Sequence, residues 1–403
     1  MLDVTMGEGV KSLPKVKAWE GPIVSMSSNS TRVIRGAVLN EIGAQPPYAQ
    51  SQPISIDELT LSAPLAGQAL IRIEAAGLCH SDLSVVNGSR PRPVPMLLGH
   101  EAAGIVEEIG EGVENIAVGQ RVVLTFLPRC GECEACATNG KLPCSKGSAT
   151  NNEGVLLDGS RHLNRVSDGA PEPVAHHLGV SGFATYAVID AKSAVPVHDD
   201  VPPDIAAVLG CAVLTGGGAL FNAAEVTKDS RVAIVGLGGV GMAGLLTALA
   251  LDCKEVIAID AQPSKLELAK SWGAHAAYTP TEAVEQGVSC DVVLEAVGHP
   301  RAFETAFKIL GLGGTLVTVG LPAPGATAEI EPLQLTAKAQ RIIGSYLGTA
   351  VPARDVPKFE QLWRDGKLPL EKLVTQEIEL ENINEAMDAL ASGTVLRQVI
   401  RFS

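Results

Sequence analysis

Positive charge and aromatic residues are both scarce in this sequence. Its 403 residues include 31 Lys and Arg against 45 Asp and Glu, a net charge of −14, and only 3% are aromatic. A chain with this excess of negative charge repels the phosphates of nucleic acids and of anionic membrane surfaces. We therefore expect neither a nucleic acid nor a membrane as partner. The 46% of apolar residues suffices for large cores, and the length predicts two or three domains.

An apolar segment of the kind found in secretory leaders is missing from the first thirty residues. We interpret residues 1–31 as an N-terminal extension and expect a cytoplasmic protein. One window, 232–251, carries no charge for twenty residues, which is the length of a membrane span. Its glycines predict instead a buried strand, a turn and a helix.

Four of the eight cysteines are closely spaced, at Cys130, Cys133, Cys136 and Cys144. Four thiolates can close a tetrahedral shell around Zn²⁺, and the turn-rich stretch that carries them has no apolar period with which to fold alone. The alternative is a disulfide cluster, which the size of the chain and the missing leader disfavour. Since four thiolates leave no open coordination position, we predict a structural zinc site.

Two kinds of sequence pattern divide the chain. Residues 31–200 contain short apolar runs separated by Gly, Pro and Asn turns, which predict a β-rich region. From residue 231, strand-like runs alternate with helical stretches, which predicts a parallel sheet with right-handed crossovers. Residues 145–183 form a long polar stretch with little period.

A glycine motif follows the first strand of the second region, at Gly236, Gly238, Gly239 and Gly241. The first glycine permits a tight turn, the second lets the backbone approach a pyrophosphate, and the last lets the helix pack on the strand. Asp260 ends the next strand, where its carboxylate can accept hydrogen bonds from ribose hydroxyls and repel a 2′-phosphate. The motif therefore predicts an NAD site, with NAD favoured over NADP.

Three further metal-ligand side chains, Cys79, His100 and Cys211, lie far apart in the sequence. Two cysteines and one histidine with a fourth position free form the ligand set of some catalytic zinc sites. Each residue also has an ordinary interpretation, Cys211 as a core thiol and His100 as a histidine in a turn. Spacing alone does not decide between these interpretations.

Together, these motifs resemble the zinc-dependent medium-chain alcohol dehydrogenases over essentially all of residues 32–403. The matching segments occur in family order: GLCHSD, GHEAAGIVEEIGEGV, the four-cysteine lobe, GCAVLTGGGA, VAIVGLGGVG with Asp260, and the terminal LRQVIRF. The long segment between Cys144 and Cys211 resembles the larger, dimeric, liver-type enzymes.

The resemblance implies an α/β fold with two domains. A GroES-like β-rich catalytic domain is expected at 32–212, with the structural zinc lobe at 130–144. A Rossmann domain with a doubly wound parallel sheet is expected at 213–346, followed by a C-terminal return to the catalytic domain at 347–403. The active site is expected in the cleft between the two domains.

The resemblance also implies individual roles in the site. Cys79, His100 and Cys211 would hold a catalytic zinc, which makes two Zn²⁺ per subunit. Ser81 would take the alcohol proton, Asp82 would orient His100, and Glu101 would be an alternative metal ligand. Cofactor contacts are implied for His80, Thr215, Lys265, Val297, Val319 and Arg397. The substrate pocket is implied to contain Phe126, His177, Leu178, Leu321 and Tyr346.

The implied reaction is hydride transfer between a small alcohol and NAD, in either direction, by a zinc-dependent homodimer. A formaldehyde dehydrogenase that uses a thiol adduct, and a non-catalytic NAD- and zinc-binding redox sensor, are the alternatives. At positions where the glutathione-dependent branch has acidic residues and an arginine, this chain has Arg90, Arg92 and Ser148, which argues against glutathione.

Two departures from the family bear on the substrate cleft. Ser84 stands where liver-type enzymes commonly have a proton-relay histidine. Arg90 and Arg92 would favour a substrate with a distal carboxylate or phosphate if they are held at the cleft mouth, and they are otherwise solvated surface arginines.

Overall fold

The computed structural model describes residues 31–166 and 170–402, so the N-terminal extension lies outside the described residues except for Thr31. The described strands form a closed barrel, a seven-stranded sheet and a parallel sheet. In chain order the strands are β1 (Arg32–Leu39), β2 (Ile54–Leu61), β3 (Gln68–Gly77), β4 (Met96–Leu97), β5 (Ala102–Ile109), β6 (Arg121–Leu124), β7 (Leu163–Arg165), β8 (Glu172–His176), β9 (Tyr186–Asp190), β10 (Ala194–Pro196), β11 (Arg231–Val235), β12 (Glu255–Ile259), β13 (Ala276–Tyr278), β14 (Cys290–Glu295), β15 (Leu310–Thr318), β16 (Arg341–Gly344), β17 (Val374–Ile378) and β18 (Arg397–Arg401).

The longer helices mostly lie beyond residue 200. In chain order the helices are α1 (Tyr48–Ser51), α2 (His80–Val86), α3 (Ser145–Glu153), α4 (Pro203–Val208), α5 (Leu214–Gly218), α6 (Gly239–Ala250), α7 (Pro263–Ser271), α8 (Pro280–Glu285), α9 (Pro300–Lys308), α10 (Pro332–Ala337), α11 (Pro352–Arg364) and α12 (Ile383–Ser392).

Helices α4 and α5 belong to one continuous helix, Pro203–Ala223, which also contains two π-helical segments, Leu209–Val213 and Ala219–Ala223. Within the described residues it is the one helix that is long and apolar enough to cross a membrane. Because 83% of its apolar window is buried inside the fold, packing in the core accounts for its composition.

The first half of the chain forms most of the two β-rich sheets, as predicted, and β17 and β18 from the end of the chain complete the second. Strands β1, β2, β7, β8 and β4 close the barrel, and the neighbouring sheet has the order β10-β6-β5-β3-β18-β17. Strand β3 is central to the second sheet, because β5 pairs with one edge while β9 and β18 share the other. Its apolar run is therefore covered along its whole length.

The parallel sheet has the order β13-β12-β11-β14-β15-β16, and every adjacent pair is parallel. This is the doubly wound order that binds dinucleotides where the winding direction reverses, here between β11 and β14. Val232 and Ile234 pack in the core on one face, while Ala233 and Val235 pack in a separate core on the other. Burial on both faces of the sheet explains why its strands are continuous apolar runs in the sequence. The predicted α/β fold class, with a doubly wound parallel sheet, is confirmed.

The last strand brings the chain back to the β-rich half. Strand β18 pairs antiparallel with β3, with Val399 opposite Gly77, and parallel with β17. As a result, Arg397 at the start of β18 lies beside Leu78. Leu78 follows β3 and directly precedes Cys79 in the GLCHSD segment.

The polar stretch 145–183, which has little period in the sequence, contains regular structure. This stretch contains α3, β7 and β8. The helix has almost no apolar face, and Cys144 caps its N-terminus by accepting a hydrogen bond from the Gly147 backbone N–H. The two strands are three and five residues long and are fixed by barrel closure, so neither has a periodic pattern of its own.

The charge-free window 232–251 forms β11, a turn and α6, as predicted.

Candidate active site

The carboxyl ends of the central parallel strands open on a cleft of about 430 Å³. One side of this cleft is lined by the glycine turn after β11 and by Asp260 after β12. The other side is lined by Cys79, Ser81 and Phe126 from the β-rich half and by Cys211 from the long helix. The cleft therefore joins the dinucleotide motif to the predicted metal ligands.

Cys79, His100 and Cys211 converge at the floor of this cleft, and their ligand atoms lie within 4.8 Å of one another. Cys79 caps α2, His100 follows β4, and Cys211 lies in the first π-helical segment. The Sγ of Cys211 is 3.4 Å from Nε2 of His100. All three side chains are buried. Two thiols and an imidazole nitrogen that converge in this way match the donor set of an open zinc site.

Asp82 holds the His100 ring in place. One carboxylate oxygen, Oδ1, is 2.9 Å from Nδ1 of His100, and the other accepts a hydrogen bond from the Cys79 backbone N–H at 3.0 Å. Burial alone would raise the pKa of the Asp82 carboxyl, but the His100 imidazole, together with that of His177, outweighs it and the pKa is lowered to about 2. An ionised Asp82 that accepts the Nδ1–H leaves the Nε2 lone pair directed at the two thiols.

Glu101 and Arg397 form a buried layer behind the thiols. Arg397 donates to the Leu78 carbonyl at 2.8 Å, and its Nε lies 3.5 Å from Oε1 of Glu101. Both oxygens of Glu101 are buried, and neither has a hydrogen-bond partner within the described residues. Gly77 makes room for this carboxylate, because a Cβ there would lie 2.0 Å from Oε1.

The charges in this layer fit a cation. Contact with the Cys211 thiol, together with the Arg397 and His100 side chains, lowers the pKa of Cys79 despite its burial. Arg397 is a single positive charge beside two thiols and a carboxylate, so two thiolates would need more positive charge than it supplies. A divalent metal ion between Cys79, His100 and Cys211 would provide it.

The dinucleotide motif has the geometry that the sequence predicts. Gly236 adopts φ 93°, in the left-handed region that favours glycine. Asp260 faces this turn and accepts hydrogen bonds from the backbone N–H groups of Leu237 at 2.7 Å and Gln262 at 2.9 Å. These contacts fix the carboxylate at the edge of the cleft.

Most of the predicted cofactor residues line this one cleft. They are His80, Thr215, Gly236, Gly238, Gly239, Asp260, Lys265, Val297, Val319 and Arg397. Gly241 is the exception, since it packs beneath the turn, where a Cβ would lie 1.7 Å from the Gly236 carbonyl oxygen. That close approach is the packing function predicted for it.

The predicted substrate residues divide into two groups. Phe126, Leu321 and Tyr346 line the cleft, with the Phe126 ring edge-on to His100 at 5.4 Å and to Tyr346 at 5.7 Å between ring centroids. His177 and Leu178 are buried and do not line it.

The sequence prediction for His177 therefore needs correction. Its ring turns to the interior, where Nδ1 lies 3.2 Å from Oδ1 of Asp82 and the ring centroid lies 5.5 Å from that of His100. An apolar aromatic ring at this position would have no such attraction to the Asp82 carboxylate. His177 thus places a second imidazole ring beside the Asp82 carboxylate, in addition to that of His100.

The four-cysteine lobe forms a second candidate metal centre. The four Sγ atoms lie within 4.8 Å of one another, with separations of 3.9 Å for Cys130–Cys136 and Cys133–Cys144. A tetrahedron with Zn–S bonds of 2.3 Å has edges of about 3.8 Å, so the spacing fits zinc. All eight cysteines are free, which disfavours the disulfide alternative. Backbone N–H groups of Cys130 and Gly147 also point at the Cys144 sulfur.

Sequence reasoning missed part of the cleft. Gln262, Ser345 and the segment 390–393 at the end of α12 all line it. Ser345 and the segment 390–393 reach the cleft through the return of the chain after β16, and Gln262 lies in the turn between β12 and α7. None of them belongs to a spaced motif. Only the turn after Asp260 gave a local signal, since it places Gln262 two residues beyond the predicted ribose-binding position.

Comparisons with known proteins agree with this geometry. Family models described as "Alcohol dehydrogenase GroES-like domain" and "Zinc-binding dehydrogenase" match residues 65–199 and 239–364. The sequence is 31% identical over 368 residues to alcohol dehydrogenase class-3 of Drosophila melanogaster, which covers 88% of this chain and 96% of the relative.

Two solved structures share the whole architecture. One is an alcohol dehydrogenase zinc-binding domain protein from Burkholderia ambifaria, at 34% identity and a TM-score of 0.85, which covers 93% of this chain and 100% of the other. The second is benzyl alcohol dehydrogenase from Acinetobacter calcoaceticus, at 31% identity and a TM-score of 0.84, which covers 92% and 100%.

Proposed function

The chain belongs to the zinc-binding, GroES-like family of medium-chain alcohol dehydrogenases, and we propose that it transfers a hydride between a primary alcohol and NAD. The products are the aldehyde and NADH, and the reverse reaction reduces aldehydes. The observation that carries this proposal is the single cleft that joins Cys79, Cys211 and Ser81 to the glycine turn and Asp260.

We propose two zinc sites per subunit. Cys79, Nε2 of His100 and Cys211 would hold a catalytic ion, and the 130–144 lobe would hold a structural one. When bound, the catalytic zinc supplies a Lewis acid for the alcohol oxygen and the nicotinamide supplies the hydride acceptor. The buried oxygens of Glu101 support its assignment as an alternative ligand.

The chain's own groups would orient the alcohol and handle its proton. Ser81 faces the cleft with Oγ 3.9 Å from the Cys79 sulfur, which suits a hydroxyl that accepts the alcohol proton. Ser84, one turn further along α2, also lines the cleft and donates to the His80 carbonyl. Phe126 and Tyr346 cover the site with rings that exclude water.

A direct test is NADH formation by the zinc-loaded enzyme with linear, branched and aromatic primary alcohols and with thiol adducts of formaldehyde. Oxidation of simple alcohols supports the proposal. Turnover confined to a thiol adduct would favour the formaldehyde dehydrogenase alternative instead. If enzyme of measured zinc content oxidises none of these alcohols, the proposed dehydrogenase function is contradicted.

The cofactor preference is a separate part of the proposal. Asp260 would select NAD because its fixed carboxylate repels a 2′-phosphate. We expect Asp260→Ala to reduce the ratio of kcat/KM for NAD over NADP by about 10- to 100-fold. Asp229→Ala is the matched control, since it removes an exposed carboxylate from the loop before β11, at the opposite end of the sheet. An unmodified enzyme that uses both cofactors equally would refute the preference.

We further propose a cytoplasmic homodimer with domains at 32–212, 213–346 and 347–403, the last returning to the first. The pairing of β18 with β3 supports the return. Light scattering of the purified enzyme tests the dimer, and a monomeric mass would remove it from the proposal.

A further inference from the structure

Arg90 stands at the substrate side of the cleft, and Arg92 follows it two residues later in the same loop, beyond the residues that line the cleft. Arg90 lines the cleft, and its guanidinium is 3.5 Å from the Pro322 carbonyl, next to Leu321 on the opposite wall. The Arg90 backbone N–H is fixed by the Ser84 carbonyl at 2.8 Å. Three prolines follow within five residues, at 91, 93 and 95, and restrict the loop that carries Arg92.

Neither guanidinium has a carboxylate partner within the described residues, although the chain contains 45 acidic residues. Arg92 donates to the neutral amide oxygen of Asn152 at 2.8 Å, and its Nε is buried without a hydrogen-bond partner. Burial and the charge of Arg90 lower the pKa of the Arg92 guanidinium. The two cations therefore lie close enough to repel each other, in a place where no protein anion compensates them.

The arginines connect to the reacting end of the cleft through two aromatic rings. His100 contacts Phe126, and Phe126 contacts Tyr346, with edge-on geometry at each step. Tyr346 in turn lies within electrostatic reach of both Arg90 and Arg92. A molecule whose hydroxyl sits beside Cys79 and Cys211 and whose body lies along these rings would place its far end at the arginines.

We propose that the substrate is a primary alcohol with a carboxylate at its far end, bound by Arg90 and Arg92. A guanidinium offers two parallel N–H donors that match the two oxygens of a carboxylate. The spacer is an aromatic ring or a chain of several carbons, because it must pass the Phe126 and Tyr346 rings. This inference rests on the proposed function, since the hydroxyl end reacts at the same cleft.

The test compares para-(hydroxymethyl)benzoate with para-(hydroxymethyl)benzamide, which has nearly the same shape but no charge. For the zinc-loaded enzyme with NAD we expect kcat/KM for the carboxylate to exceed that for the amide by about tenfold or more. The difference should lie mainly in KM and should shrink at high salt, because a half-exposed ion pair is screened.

In the double variant Arg90→Gln/Arg92→Gln, the ratio of the two kcat/KM values should approach one. Arg341→Gln is the matched control, because this exposed arginine begins β16 at the end of the parallel sheet away from the cleft, so the ratio should persist. Should the double variant fold poorly by circular dichroism, each single variant should lower the ratio by part of the full effect.

The outcomes separate this inference from the proposed function. Equal kcat/KM for the carboxylate and the amide in the unmodified enzyme overturns the inference and leaves the dehydrogenase assignment intact. Preference for para-(hydroxymethyl)phenyl phosphate over the benzoate overturns the assignment of a carboxylate. If no alcohol is oxidised, the proposed dehydrogenase function is refuted. Binding of the benzoate, measured by calorimetry and weakened in the Arg90→Gln/Arg92→Gln variant, would then still support the anion site.

Discussion

The two cysteine centres of this molecule differ in how their ligands are brought together. In the lobe, four sulfurs come from a stretch of fifteen residues, 130–144, and Cys133 and Cys136 remain partly exposed. In the cleft, Cys211 and His100 are 111 residues apart, and every ligand is buried. The lobe needs only its own loop, whereas the cleft centre requires β3, β4 and the Pro203–Ala223 helix to be in place first.

This difference predicts different consequences of metal loss. The lobe lacks an apolar core, so its bound metal would be a large part of its folding energy. Cys79 and Cys211 of the cleft centre belong to a large hydrophobic core, so we expect the fold to depend less on this metal, which would serve chemistry. Substitutions at the two centres should therefore separate stability from activity.

Cys211→Ser should have the largest effect on activity. It removes one of the two thiolates that would hold the catalytic ion, and we expect kcat/KM for alcohol oxidation to fall by at least about a hundredfold. The Tm should change little, since the side chain is small and the surrounding core is unchanged. Initial rates of NADH formation and metal content per subunit give the measurement.

Loss of activity with a fall in Tm as large as that of a lobe variant would break the comparison. It would mean that the cleft centre, too, is needed for folding.

Asp82→Asn should have the next largest effect. The carboxylate orients His100 and also accepts the Cys79 backbone N–H, and an amide has only one oxygen with which to do both. We expect a 10- to 100-fold loss in zinc affinity or in kcat/KM, as is typical when a group that orients a metal ligand is removed. Competition with a zinc chelator measures the affinity.

His177→Phe sharpens this prediction. It keeps a ring of similar volume and removes the second imidazole on Asp82. If Asp82 acts through His100 alone, this variant should retain zinc affinity, and a loss equal to that of Asp82→Asn would show that both imidazoles are needed.

Cys133→Ser should have a small effect on chemistry and a clear effect on stability. It opens the four-sulfur shell, and we expect the Tm to fall by about 5 °C or more with loss of one metal ion per subunit. The kcat of the remaining folded enzyme should stay close to that of the unmodified protein. A Tm unchanged by this substitution, with both metal ions retained, would contradict a structural zinc site.

The same contrast explains which features could be predicted from the sequence. The cysteine spacing of the lobe, the glycine turn and Asp260 are local patterns, and the strand–helix alternation after 231 is a strong periodic signal. The ligand atoms of Cys79, His100 and Cys211 meet only in the folded chain, so a family resemblance was needed to connect them.

Other features depended on contacts that no local pattern encodes. The rotation of His177 toward Asp82 follows from a buried carboxylate ninety-five positions away in the sequence. The short strands β7 and β8 are held by barrel neighbours, and the polar helix α3 by its Cys144 cap. Tertiary pairing decides such segments, because their own propensities are weak.

Two buried histidines, His100 and His176, differ in the groups that surround their rings, and this difference predicts the smallest effect. His100 contacts the Asp82 carboxylate, whereas His176 accepts the His162 backbone N–H through Nε2 at 3.3 Å and forms no ion pair with a carboxylate of the described residues. Burial, together with the charges of His162 and Arg161, lowers the pKa of His176 to about 3. The unfolded chain, with a pKa of about 6.5, therefore binds a proton that the folded protein does not.

Stability should accordingly fall as the pH drops from about 6.5 toward 3, and this histidine should account for about 2 kcal/mol of the loss at about pH 5. In His176→Gln the amide oxygen can accept the same N–H bond but does not titrate, so Tm should decline less between about pH 7.5 and about pH 5 than in the unmodified protein. His275→Gln is the matched control, because that exposed ring also accepts a backbone N–H bond, from Val256. If both variants lose Tm in acid as steeply as the unmodified protein, His176 is not kept neutral by burial, and its contrast with His100 disappears.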